Sequence, residues 1–539
     1  MRMSKLNRPA ALRLHNLQVS YTQNGRPVPV LGKLSLALGQ GEIVSLLGES
    51  GSGKSTIAKA MTGLLPPSAA IGGGELIVGD GAAVDLTANG VPWSKLRGRK
   101  IGLLFQDAQQ ALNPLLTVRA HFRESLRFHR LASSAKEADG IGVRLLAQLR
   151  FSDPTAMLDR YPFQLSGGMC QRVCLALSLC LKPAVLIADE PTSALDTVSQ
   201  KEVLDLLRRV REEHGVAILL VTHDIAVANA VSDRIIVLNR GVIEEEGEAR
   251  AVLSRPQAAY TRKLIASRSR IADAPRRSDE MPTASEPVLE IGRLDKSFHK
   301  RPVLRQLDLT LHCGDIVGIL GQSGCGKSTL ARCIAGLERP DGGRILYRGT
   351  DVVRLKGRAR REICRRIQLV FQDARASLNP RRTAVQLVQE PLRYLRIGSR
   401  REREALARFY LNEAGIADEL QERRPPQLST GQCQRIAIAR TLILQPDVLI
   451  CDEAVSALDM SVQAQILALL QRLHHQFGFA MIMISHDVRV LRSFCHSIAV
   501  MNEGSFCEVK PAEALHLESR QPYTRLLLQC AGELEAGLG

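Results

Sequence analysis

Short apolar runs recur along this chain in an order that repeats itself. Ile43 to Leu47, Ala184 to Ala188 and Val216 to Val221 have counterparts in Ile316 to Leu320, Val448 to Cys451 and Phe479 to Ile484. Each is four to six residues long and followed, at once or after one residue, by Gly, Asp or His, a pattern that predicts buried strands. Alternation at Leu12-Arg13-Leu14, running on to Leu17 to Tyr21, predicts a further strand near the start. The second half repeats it as Leu289-Glu290-Ile291 and Phe298. Strands are also predicted at Ile101 to Leu104 and at Leu369-Val370. The charged segments Lys136 to Gln148 and Arg400 to Asn412 predict helices with solvated outer faces.

The chemistry lies where these runs end. The first enters Gly48-Glu49-Ser50-Gly51-Ser52-Gly53-Lys54-Ser55-Thr56, and its counterpart enters Gly321-Gln322-Ser323-Gly324-Cys325-Gly326-Lys327-Ser328-Thr329. A helical pattern leaves each, which is the setting that the G-x-x-x-x-G-K-[ST] phosphate loop requires. Its glycines let backbone N–H groups turn around a polyphosphate, and the helix N-terminus adds partial positive charge. Lys54 and Lys327 bring an ammonium to the outer phosphates, and Ser55 and Ser328 are placed to ligate Mg²⁺.

Gln106 and Gln372 end strands and are candidates to touch the metal or its water. Asp189-Glu190 and Asp452-Glu453 end buried runs. The first carboxylate of each pair suits Mg²⁺, the second the orientation or deprotonation of a water. His223 and His486, after the last apolar strand of each half, are candidates to donate to a γ-phosphate. Tyr21 and Phe298 lie upstream of the loops as rings able to stack on adenine. Ser166-Gly167-Gly168 and Ser429-Thr430-Gly431 each open an apolar helix, offering a second anion site at a capped N-terminus.

Matching residues are offset by 273 at the phosphate loop, 266 at the Gln and 263 at the Asp, the His and the Tyr-Thr-Arg tails beginning at Tyr260 and Tyr523. The chain is thus an internal duplication. Domains are expected at residues 1–265 and 288–539. Ala266 to Pro287, rich in Ser, Pro, Ala and charge, is expected to be a flexible linker.

A chain of 539 residues suits two or more domains. No apolar run reaches about 18 residues and no signal sequence opens the chain, so nothing is expected to span a bilayer and the protein is placed in the cytoplasm. The twelve cysteines contain no C-x-x-C, so neither a zinc ribbon nor a secreted disulfide framework is indicated and free thiols are expected. A net charge of +17 fits polyphosphate, nucleic acid or an anionic membrane face equally well.

In this order, phosphate loop, Gln, Leu-Ser-Gly-Gly-type signature, Asp-Glu pair, Ser-Ala-Leu-Asp turn and His resemble the nucleotide-binding subunits of ABC transporters, twice over. Leu112-Asn113-Pro114, Leu378-Asn379-Pro380 and the Tyr-Thr-Arg tails are similar to the group serving dipeptide, oligopeptide and nickel importers, here with two subunits fused. The resemblance implies an α/β fold of two P-loop cassettes, each with a RecA-like core, an antiparallel β subdomain and a helical signature subdomain. It implies Mg²⁺-dependent ATP hydrolysis with two ATPs held head to tail. One site would join Lys54, Asp189, Glu190 and His223 to Ser429 and Gly431. The other would join Lys327, Asp452, Glu453 and His486 to Ser166, Gly167 and Gly168, with Asp196 and Asp459 in the D-loops.

The implied partners are two membrane permeases and an extracytoplasmic solute-binding protein, at the cytoplasmic face of the inner membrane. The implied cargo is a peptide, nickel or a metal chelate. The second half, with Arg424-Pro425-Pro426-Gln427, resembles the nickel-type member most. Thr430 stands where the family has Gly, and Met169 where it has Gln. Only Cys530 follows the last Tyr-Thr-Arg segment, so no iron–sulfur cluster is expected. Twin-cassette translation factors carry a long helical arm, which Pro275, Pro282 and Pro287 would break. DNA-repair cassettes carry C-x-x-C zinc modules, absent here, and no direct nucleic-acid role is expected.

Overall fold

The computed structural model describes residues 9–23, 25–193, 195–272, 286–455, 458–516 and 519–536. Most of the expected linker, and Ala194, Ser456 and Ala457 of the Ser-Ala-Leu-Asp turns, lie outside them. The chain divides into two compact units, Met1–Ala266 with Gly532–Gly539, and Ser267–Ala531. The helix Ala259–Ala272 carries regular structure past Ala266, because the sequence offers no helix breaker before Pro275.

Each unit holds a six-stranded sheet and a four-stranded antiparallel sheet. In the first unit the six-stranded order is Val242–Glu248, Arg234–Asn239, Ile43–Leu47, Ala217–Thr222, Val185–Asp189 and Ile101–Leu104. All neighbours are parallel except the hairpin of the first two. The second unit repeats this with Ser505–Pro511, Ser497–Asn502, Ile316–Leu320, Ala480–Ser485, Val448–Asp452 and Ile367–Val370. Strands covered on both faces cannot alternate. Hence Ile43–Leu47 and Ile316–Leu320 are apolar or small throughout and buried at every position.

The four-stranded sheets run Arg26–Gly39, Ala10–Gln23, Ala69–Val78, Val84–Asp85 and Arg301–His312, Pro287–Phe298, Gly342–Tyr347, Thr350–Asp351. Here the alternation read at Leu12 and Leu14 has its cause. These two join Leu36, Leu38, Val44 and Leu46 in one apolar cluster, while Arg13 is exposed. Burying one such leucine contributes about 1.5–3 kcal/mol.

The helices fall close to the predicted spans, at Ala135–Gln148 and Arg400–Glu413. Ser134 and Ser399 cap them, each accepting from the backbone N–H three residues on. In the first unit, Val118–Phe128 and Ala135–Gln148 share an apolar cluster, which includes the fully buried Phe122, with the signature helix Gly167–Leu179.

Candidate functional site

The parallel register brings the predicted residues to one edge of each sheet. Leu47 lies opposite Thr222, Asp189 opposite Val221, and Leu104 opposite Ala188. Gly48, His223, Glu190 and Gln106 therefore leave adjacent strands at their carboxyl ends, where α/β sheets form crevices. In the second unit, Leu320 lies opposite Ser485, Asp452 opposite Ile484, and Val370 opposite Cys451.

Each phosphate loop closes on its own lysine. Lys54 is only 4% exposed, and its ammonium donates to the carbonyls of Gly48 at 2.7 Å and Glu49 at 2.9 Å. Lys327 repeats this on Gly321 at 2.8 Å and Gln322 at 2.7 Å. Gly53 and Gly326, at φ 106° and 111°, hold a left-handed turn at the helix start that a side chain would strain. Ser50 and Gly51, like Ser323 and Gly324, are exposed at the loop's tip. Thr56 and Thr329 are half-buried in the first helical turn.

Next to each loop, oxygen atoms converge. The Ser55 hydroxyl donates to Asp189 at 3.0 Å, and Ser328 to Asp452 at the same distance. Burial raises both aspartates above their ordinary value, and the adjacent glutamate adds to this against the serine and lysine. A buried carboxylate short of positive charge, beside a hydroxyl, fits a hard divalent cation. In the second unit a cavity of about 750 Å³ opens beside Ser328, Gln372 and Asp452, walled by Arg332, Tyr394 and Arg440.

Glu190 and Glu453 follow these aspartates at φ 46° and 47°, a left-handed conformation uncommon outside glycine. The turn directs each to two partners. Gln106 donates its amide to Glu190 at 3.0 Å, and Gln372 to Glu453 at 2.8 Å. His223 Nδ1 lies 3.0 Å from Glu190, and His486 Nδ1 lies 3.7 Å from Glu453. The histidines differ in a neighbour that the sequence did not single out. Arg489 forks onto Asp487 at 2.7–3.2 Å, whereas Asp224 faces Ala226 at the equivalent position. Burial would raise Asp487, yet Arg489 brings it down to about 2.

Burial opposes charge on His223, but its bond to Glu190 prevails and its pKa is raised. At Glu190 burial pushes up, His223 pulls down, and the carboxyl ends below its usual value. The histidine's contribution to stability is complete below its unfolded value near 6.5 and lost as pH rises through the raised folded one. The glutamate's contribution is present above about 4.5 and lost as pH falls through the lowered folded value. Without nucleotide, the melting temperature of His223→Gln should fall furthest below wild type near about pH 6 and approach it as pH rises through the raised folded value of His223. A gap of constant size across that range contradicts the ion pair.

The signature segments are helix caps. The Ser429 hydroxyl accepts from Gln432 N–H at 3.2 Å, and the Gln432 amide oxygen accepts in turn from Ser429 N–H at 2.9 Å. Ser166 accepts from Met169 N–H at 3.3 Å, but Met169 carries no amide oxygen to reciprocate. A Cβ on Gly167, the counterpart of Thr430, would meet only Leu195 at 3.6 Å, so each unit has room for a side chain there. On Gly431 it would come within 2.5 Å of Val462, whereas on Gly168 it meets Ser199 at 3.4 Å. Asp196 and Asp459 cap the next long helices, accepting from Ser199 and Val462 N–H at 3.1 Å.

The upstream rings differ. Tyr21 is half-buried against the apolar cluster, while Phe298 is exposed with the Lys296 ammonium 5.1 Å from its centroid.

Two cassettes with this loop, paired carboxylates and terminal His define a class, and the chain belongs to the ABC transporter family, whose model matches residues 31–193 and 304–456. A second model, for the oligopeptide/dipeptide transporter C-terminal region, matches residues 244–302. The chain is 36% identical to the glutathione import ATP-binding protein GsiA of Pectobacterium atrosepticum, covering 96% of this chain and 88% of that one. The Escherichia coli K12 protein of that name is 36% identical, over 96% and 89%. The peptidoglycan transport ATP-binding protein YejF of Agrobacterium fabrum is 36% identical, over 99% and 98%. This chain is the ATPase subunit of an ABC importer of that group, with two cassettes fused in one polypeptide. Among the described residues, no helix is long and apolar enough to cross a membrane.

Proposed function

We propose that Gly48 to Thr56 and Gly321 to Thr329 hold the phosphates of ATP, and that Glu190 and Glu453 accept a proton from the attacking water. The observation that carries this reading is the repetition, in both units, of a Ser–Asp contact at 3.0 Å beside a glutamate bonded to Gln. Lys54 and Lys327 exchange loop carbonyls for phosphate oxygens. His223 and His486 steady the glutamate and offer a donor to the γ-phosphate. Ser55, Asp189 and Gln106, with Ser328, Asp452 and Gln372, would hold Mg²⁺, which supplies neutralising charge at the phosphates when bound.

On this reading the chain works at the cytoplasmic face of a membrane, bound to two permeases that receive cargo from an extracytoplasmic binding protein. Peptides are the favoured cargo. The matched tail region and the relatives' names, which specify glutathione and peptidoglycan, support them over nickel or a metal chelate. The test is to express the chain with and without a permease pair, fractionate the cells, and measure ATPase activity of the assembled complex. Membrane recovery only with permeases, and turnover raised by peptide-loaded binding protein, is expected. Soluble recovery in both cases, or co-purification with ribosomes, overturns the transporter assignment. Stimulation by a nickel chelate and not by peptide overturns the cargo.

A further inference from the structure

The Tyr-Thr-Arg segments repeat in both halves, yet the reaction described above assigns them nothing. In the structure each tyrosine returns to its own phosphate loop. The N–H of Glu49 donates to the Tyr260 hydroxyl at 3.3 Å, across 211 residues of chain. The N–H of Gln322 donates to the Tyr523 hydroxyl at 3.0 Å, across 201 residues. Both tyrosines are half-buried near the start of a tail helix, Ala259–Ala272 or Pro522–Glu535.

The residues they hold matter for the lysine. Glu49 receives the Lys54 ammonium on its carbonyl at 2.9 Å, and Gln322 receives Lys327 at 2.7 Å. One residue is thus fixed at its N–H by the tail and at its carbonyl by the lysine, so its freedom to turn is limited from both sides. In the first unit the tail is itself anchored, with Gln257 and Ala258 N–H donating to the Glu245 carboxylate at 2.9 and 3.0 Å.

We propose that Tyr260 and Tyr523 are positioning residues that lock the phosphate loop in its nucleotide-ready shape, tying ATP affinity to the seating of each tail helix. Without the hydroxyl, the Glu49 or Gln322 N–H loses this partner and the loop samples conformations in which the lysine is misplaced. Binding then requires the loop to be ordered first, which weakens apparent affinity without touching the water-activating glutamate. This inference rests on the reading of these loops as the ATP sites.

The test uses the full chain, with Tyr260→Phe and Tyr523→Phe singly and together, keeping the ring and removing only the hydroxyl. Steady-state kinetics give KM for ATP and kcat, amide hydrogen exchange follows the loop peptides, and melting is recorded without nucleotide. The double variant should raise KM about threefold to tenfold, the effect of one ordinary hydrogen bond, with kcat within about twofold. Exchange should quicken at Glu49 and Gln322. Tyr523→Phe should act more strongly than Tyr260→Phe, because its bond is the shorter. A lowered melting temperature with KM and loop exchange unchanged makes the tyrosines merely structural and overturns the proposal. Lys54→Ala with Lys327→Ala separates the two readings. If this pair abolishes ATP binding while the tyrosine variants leave KM alone, only the positioning role fails; if it leaves binding intact, the site assignment fails as well.

Discussion

Replacing Glu190 and Glu453 together by glutamine is expected to slow ATP turnover by about 10²–10⁴-fold, the usual cost of a lost general base, while ATP binding changes little. Glutamine keeps the length and shape needed at φ 46° and 47° and can still bond to Gln106 and Gln372. It removes only the charge and the basic oxygen. Both units carry the Gln–Glu contact and the neighbouring His, so a single replacement leaves one complete set in place and the double variant is the decisive one. The measurement is steady-state phosphate release beside equilibrium binding of ATP. Wild-type turnover in the double variant removes these glutamates from the chemistry. Loss of binding instead marks them as ligands.

The second large effect is expected from Gly48→Ala and Gly321→Ala. A Cβ on Gly48 would lie 2.2 Å from the Leu238 carbonyl oxygen, and one on Gly321 would lie 2.4 Å from that of Met501. Both neighbours are backbone atoms of the adjacent parallel strand, which cannot move aside without breaking the sheet at the loop's root. Overpacking of this kind costs about 1–3 kcal/mol or more, so the loop must leave its place. ATP affinity should then fall by about one to two orders of magnitude. Gly51→Ala is the comparison: at φ 82° it is strained, but nothing lies within 4 Å of the added carbon. Its nucleotide-free melting temperature should fall less than that of Gly48→Ala. Equal or reversed losses mean that the close approach to Leu238 is not what requires glycine there.

Much of the candidate site was legible without coordinates because its parts are short and each stands at a strand end. Phosphate loop, Asp-Glu pair and His are each confined to a few consecutive residues, and their recurrence at related offsets tied them into two sets. The cap at Ser429 was legible for the same reason, since N-cap and partner are three residues apart. The differences between the halves were only half visible. Thr430 and Met169 could be named as departures, but not what surrounds them. The pairing of Asp487 with Arg489 passed unremarked among many exposed charges.

The sequence by itself determined that this protein is two α/β cassettes built for ATP. Hydrophobic runs set which strands are buried, and the short motifs at their ends set the candidate site. Tertiary structure alone decided what holds those parts in place. The left-handed turn at Glu190, the carbonyl of Leu238 against Gly48, and the Tyr260 hydroxyl on Glu49 each depend on which distant segment lies alongside. Contacts across about two hundred residues leave no local periodicity to read. They exist because a parallel sheet aligns the carboxyl ends of strands far apart in sequence, and because the tail helix packs back beside the loop.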